Sequence, residues 1–210
     1  MSTKLIYRNP FLYELIMRLL YGRHYQSRSQ VIADLIEPGS SVVDLCCGAG
    51  LLYHRYLRRK NVAYTGLDVS HFFVDALKKQ GVRAMEWDLQ SAAALPQADY
   101  VTMQSSLCYF LPDPRPVIDR MLNAAMKRVI IAEPIRNLST SKLPLVASVA
   151  VKLSGPGGGH SQRFNEQSLD ELFAAYSSCL KLSFKIPGGR EKVYVLNGNR
   201  SGAHSPQPRK

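Results

Sequence analysis

Between residues 42 and 132 short apolar runs alternate with amphipathic stretches, and the first run opens straight onto a glycine turn, Cys46-Cys47-Gly48-Ala49-Gly50. This alternation constrains the fold more than any other feature. Strands and helices of this length bury their apolar faces together as a parallel sheet with helices on both sides. Val42–Leu45, Val62–Leu67, Val82–Trp87, Asp99–Gln104 and Arg128–Ala132 read as five strands. Leu51–Arg59, Ser70–Gln80 (capped by Ser70, stopped by Gly81) and Pro116–Met126 read as the helices between them. Two more helices precede the first strand. One starts at Asn9-Pro10, carries Phe11, Leu12, Leu15, Ile16, Leu19 and Leu20 at helical spacing and ends near Gly22; the other covers Arg28–Glu37. After Glu133-Pro134 come an apolar stretch, Leu143–Leu153, a glycine-rich joint at Gly155–Gly159 and a helix over Asn165–Ser178. Strands Leu180–Ile186 and Lys192–Leu196 then flank Pro187-Gly188-Gly189, a hairpin signal.

The expected architecture is therefore α/β: a mostly parallel seven-stranded sheet with helices on both faces and a last strand made antiparallel by the C-terminal hairpin. One domain spans residues 1–198, with helical lid segments at 1–37 and 136–163. Residues 199–210 hold Ser, Pro, Gly and basic residues and read as a disordered tail. With 46% hydrophobic and 20% charged residues in 210, the composition is globular, and no apolar stretch reaches the ~20 residues of a membrane span. The N-terminus has no apolar run followed by a small-residue cleavage site. Cys46, Cys47, Cys108 and Cys179 form no C-x-x-C pair, so neither a zinc framework nor a disulfide scaffold is expected, and a reducing cytoplasm is. The net charge of +11 favours anionic partners without saying which.

The glycine turn narrows the ligand. A dinucleotide fingerprint beginning at Gly48 would need glycine at position 53, where Tyr53 stands, and no Gly-Lys-Ser/Thr phosphate loop is present. The stretch Asp44-Leu45-Cys46-Cys47-Gly48-Ala49-Gly50 instead resembles motif I of the class I S-adenosylmethionine-dependent methyltransferases. That family usually has glycine where Cys46 stands. The resemblance runs through Asp68 at the end of the second strand, Trp87-Asp88-Leu89 after the third, Gln104–Pro114 after the fourth and Arg163-Phe164-Asn165 before the late helix. It covers roughly residues 25–196 on a count of matching elements. It implies S-adenosylmethionine as cofactor and S-adenosylhomocysteine as product. It places the ribose hydroxyls at Asp68 beside Val69, the adenine at Trp87, Asp88 and Leu89, and the rest of the cofactor along Asp44, Cys46, Gly48, Gly50 and Gln104. It brings Tyr25 and Arg28 to the methionyl carboxylate. No metal is implied.

The residues name no convincing general base. Tyr13, Tyr21, Tyr109 and His160 are candidates for orienting an acceptor, and His24 shares a segment with reach to the site. His54 and His71 read as surface or packing residues on helices. The segments expected to choose the acceptor, 9–25 and 136–163, are apolar with basic punctuation. They favour a small molecule with an apolar body, ahead of a lipid or quinone-like acceptor at a membrane surface or a nucleic acid. A catalytically silent cofactor-binding partner of another protein is the non-enzyme reading. Oligomeric state is left open.

Overall fold

The computed structural model describes residues 25–135 and 163–199. Helix α1 (Tyr25–Asp34) leads into β1 (Ser41–Leu45), the short helix α2 (Leu51–Arg55) and a 3₁₀ turn (Leu57–Lys60). Strand β2 (Ala63–Asp68), helix α3 (His71–Lys79), strand β3 (Ala84–Glu86) and strand β4 (Ala98–Gln104) follow. A second 3₁₀ turn (Leu107–Phe110) precedes α4 (Arg115–Ala124) and β5 (Ala125–Pro134). Helix α5 (Glu166–Ala174), β6 (Leu180–Lys185) and β7 (Glu191–Asn197) complete the described chain.

The seven strands form one sheet in the order β3-β2-β1-β4-β5-β7-β6. Strands β1 to β5 pair in parallel, and β7 runs antiparallel between β5 and β6, as the hairpin signal predicts. The central strands are buried on both faces, so they carry runs such as Val42-Val43 and Val129-Ile130-Ile131 with no polar alternation. One core layer packs α4 and α5 on the sheet through Val117, Ile118, Met121, Leu169 and Phe173. The other packs α1, α2 and α3 on the opposite face through Ile32, Ile36, Leu52, Val74 and Leu77.

Several boundaries differ from expectation. Helix α1 begins at Tyr25 and ends at Asp34, three residues earlier at each end than predicted. The predicted helix 51–59 breaks at Tyr56 (φ −128°, ψ −51°), and the chain closes with a 3₁₀ turn whose Leu57 is fully buried. Ser70 sits at the cap position of α3 without a side-chain capping bond; Asp68 Oδ1 accepts the Ser70 N–H instead, at 2.9 Å. Strand β3 stops at Glu86, which leaves Trp87 and Asp88 in the loop beyond it. The N-terminal helix, the apolar stretch 143–153, Tyr13, Tyr21, His24, His160 and the tail from 200 onward lie outside the described residues.

Candidate functional site

At the carboxyl ends of β1, β2 and β4 opens a cavity of about 730 Å³, a size usual for small-molecule sites. This is where a doubly wound sheet leaves a crevice. The glycine turn forms its floor. Cys46, Gly48 and Gly50 all take positive φ (54°, 53° and 68°). A left-handed residue at position 46 explains why glycine is the usual occupant there. Cys46 holds that conformation at a local cost of ~1–3 kcal/mol. A Cβ on Gly48 would meet nothing within 4 Å, whereas one on Gly50 would strike Leu77 Cδ2 at 2.6 Å. Gly50 therefore serves the packing of α3, and Gly48 presents bare backbone to open space.

Asp68 ties this floor to the second strand. Its Oδ2 accepts from Gly48 N at 2.8 Å while Oδ1 accepts from Ser70 N. Each oxygen keeps acceptor capacity, since an ionised carboxylate has about four lone-pair sites. Asp68 is half-buried and Val69 beside it is exposed, and both line the cavity. Trp87, Asp88 and Leu89 form the opposite wall. The Trp87 indole Nε1–H is buried with no hydrogen-bond partner among the described residues, so a ligand acceptor would relieve a real cost there. Gln90 N donates to Asp88 Oδ1, which fixes that carboxylate in its loop.

Asp44 is built differently. Its Oδ1 accepts from Thr102 Oγ1 at 2.8 Å and its Oδ2 from Tyr64 OH at 2.9 Å, so it clamps β1 to both neighbouring strands. Burial pushes its carboxyl up to about 6 against those two hydrogen bonds. Burial likewise pushes the Cys46 thiol up to about 12 and the Cys47 thiol higher still, so neither is a nucleophile at neutral pH.

At the far end α1 meets β4. Arg28 is buried and lines the cavity; its Nη2 donates to Ser105 Oγ and its Nε lies 2.6 Å from Glu191 Oε1 as an ion pair. Ser29 Oγ donates to Gln104 Oε1 at 3.3 Å. Tyr109 is exposed at the mouth on the turn after β4. Tyr25 opens α1. The structure thus gathers Arg28, Asp44, Cys46, Gly48, Asp68, Val69, Trp87, Asp88, Leu89, Gln104 and Tyr109 around one cavity, with Gly50 behind the floor.

Three residues, Ser105, Glu133 and Glu191, escaped the sequence reading, and a fourth, His54, was read as a surface or packing residue. His54 lines the cavity, and its Nε2 is buried without a partner among the described residues; burial, with Arg58 nearby, holds its imidazole below the ordinary range. Ser105 takes φ 54° and sits in the wall. Glu133 and Glu191 are buried acidic residues at strand ends. Glu133 Oε2 accepts from Leu107 N at 3.0 Å, and burial pushes its carboxyl up to about 7. The Glu133-Pro134 break was legible in the sequence; that Glu133 faces inward was not. Among the described residues no cluster of His, Cys, Asp and Glu could hold a metal.

This sheet order, with a glycine turn after β1 and an acidic residue closing β2, defines the class I S-adenosylmethionine-dependent methyltransferase fold. Solved structures agree. A TehB-like SAM-dependent methyltransferase from Corynebacterium glutamicum superposes with a TM-score of 0.56 at 17% identity, covering 82% of this chain and 88% of that one. Magnesium protoporphyrin IX methyltransferase (ChlM) from Synechocystis, with bound SAH, gives 0.62 at 16% identity over 93% and 98%. A SAM-dependent methyltransferase from Aquifex aeolicus gives 0.59 at 13% identity over 87% and 96%. Residues 26–147 match the family described as methionine biosynthesis protein MetW, and the chain belongs to that family. No curated protein matches it.

Proposed function

We propose that the chain binds S-adenosylmethionine and transfers its methyl group to a small-molecule acceptor with an apolar body. The observation that carries this reading is Asp68, held across the glycine turn with acceptor capacity to spare for a vicinal diol. The cavity volume, the bare backbone at Gly48 and the unpaired Trp87 Nε1–H fit an adenine nucleoside. Bound there, the cofactor supplies a methyl group on a positively charged sulfur. Asp68 would hold the ribose, Trp87 and Leu89 the adenine, and Arg28 the methionyl carboxylate. Ser105, Ser106 and Tyr109 form the wall where an acceptor would approach.

Charge is lost from sulfur as the methyl leaves, so a water-poor site favours the transition state over the ground state. Alignment of acceptor and sulfur can account for ~7–11 kcal/mol in well-oriented reactions. A general base matters for a hydroxyl or carbon acceptor and less for a thiolate. Segments 9–25 and 136–163 supply acceptor selection in this reading, with Tyr13, Tyr21, Tyr109 and His160 as orienting candidates.

The family's description, methionine biosynthesis, favours a small molecule over a lipid or a nucleic acid as acceptor. No described helix is long and apolar enough to cross a membrane. Cytoplasmic action is part of the proposal. Calorimetry with S-adenosylmethionine, S-adenosylhomocysteine and NAD tests the reading. The first two should bind and NAD should not; tight NAD binding alone would overturn it.

A further inference from the structure

Arg28 reaches the cavity from α1, but what fixes its guanidinium comes from the opposite end of the chain. Glu191 opens β7 directly after the hairpin turn, is 2% exposed and is not among the residues that line the cavity, whereas Arg28, which it contacts, is. Glu191 Oε1 lies 2.6 Å from Arg28 Nε, and Ser105 Oγ accepts from Arg28 Nη2 while facing the same Oε1 at 3.5 Å. Ser105 is held in its left-handed conformation (φ 54°) by a 2.7 Å bond from its N–H to Ala132 O. Two side chains, one opening β7 and one just after β4, thus converge on one guanidinium.

We propose that Glu191, with Ser105, is a positioning residue that sets Arg28 to receive the carboxylate of the cofactor's methionyl end; this rests on the methyltransferase reading above. Stability alone does not account for the arrangement. Strand β7 is already fixed by its register on β5 from Arg128↔Asn197 to Pro134↔Glu191, and Ile135 N donates to Arg190 O beside it. A buried ion pair is a poor way to stabilise a fold, because desolvation offsets most of the attraction. Its use is orientation. A guanidinium is a planar fork, and recognition of a carboxylate depends on the plane in which that fork is held. Ser105 Oγ accepts a hydrogen bond from Nη2 and Glu191 faces Nε as an ion pair, which together set that plane at the wall. Ser105 also lies between the ion pair and the turn after β4, so the C-terminal hairpin is tied to the cofactor wall through two side chains.

The test compares S-adenosylhomocysteine with its decarboxylated analogue, which keeps the ammonium and lacks only the carboxylate. Both affinities are measured by calorimetry on the wild-type chain, Glu191→Gln and Ser105→Ala. Glu191→Gln should raise the dissociation constant for S-adenosylhomocysteine about tenfold, the size expected for one charge-assisted hydrogen bond. The analogue should change by less than about twofold on the same scale. Ser105→Ala should give the same selectivity at smaller amplitude, and it carries the test if Glu191→Gln does not fold. Equal losses for both ligands, or no loss for either, would overturn the proposal. So would a wild-type chain that binds both ligands equally, and the cofactor reading would then stand. A wild-type chain that binds neither overturns the cofactor reading itself.

Discussion

Asp68 and Asp44 are both carboxylates at strand ends beside one turn, yet their surroundings give them different work. Asp68 keeps lone pairs for a ligand, so Asp68→Ala should cost ~1.5–3 kcal/mol of binding, a rise in cofactor dissociation constant of about ten- to a hundredfold. Freed Gly48 and Ser70 N–H groups can turn to water at the cavity floor, so the urea midpoint should fall far less than affinity does. Equal loss of both would make Asp68 a structural brace. Asp44 has no such freedom, with Thr102 and Tyr64 on its two oxygens. Its carboxyl is raised to about 6 by burial, so the folded chain holds that proton more tightly than the unfolded one. Stability therefore falls as pH rises from about 4 to 6, because the native state binds more protons across that window. Glu133, raised to about 7, extends the decline. Asp44→Asn should flatten the lower part of this slope in denaturant melts. Asp44 was legible from its place before the Gly-x-Gly turn and Asp68 from its place at the end of the second strand. That Asp44 is spent on two hydroxyls was not, because Tyr64 and Thr102 reach it only through sheet pairing.

Elements were readable where their own residues determine them. The parallel strands announce themselves as short apolar runs, and the β6–β7 hairpin by Pro187-Gly188-Gly189. Helix α2 was overextended because its break answers to tertiary contacts. The 3₁₀ turn after it brings Lys60 Nζ onto the carbonyls of Ala33 (2.5 Å) and Ile36 (2.6 Å) at the end of α1, some two dozen residues away. No local pattern encodes that. Helix α5 shows the converse, a local device that the sequence does carry. Asn165 Oδ1 accepts from Ser168 N at 2.8 Å, and Ser168 Oγ accepts from Asn165 N at 3.0 Å, a reciprocal cap. Asn165→Ala should cost about 1 kcal/mol in urea unfolding, with cofactor affinity unchanged. A change in affinity would mean that α5 communicates with the cavity through Arg163-Phe164 and the turn at Cys108.

Across the whole chain the charge is unevenly placed. Ten of the 27 basic residues but only one of the 16 acidic residues fall in segments 1–24, 136–162 and 200–210. The described residues are left nearly balanced, at 17 basic to 15 acidic. Nine of the eleven net positive charges therefore belong to the segments that the sequence assigns to acceptor selection and to the tail. This separates the acceptor classes by experiment. A nucleic-acid acceptor engaging six to ten of these cations would lose roughly a thousandfold or more in affinity between 50 and 200 mM salt, because each neutralised phosphate releases counterions. A small anion meeting one or two cations has no condensed counterion layer to release, and screening over ~8–10 Å costs it only a few-fold. The expected result is a KM for the acceptor that rises a few-fold over that range, while the dissociation constant for S-adenosylhomocysteine stays flat, since its carboxylate would meet a buried guanidinium. A thousandfold rise would place a polyanion on the basic segments and overturn the small-molecule reading, with the cofactor site left intact.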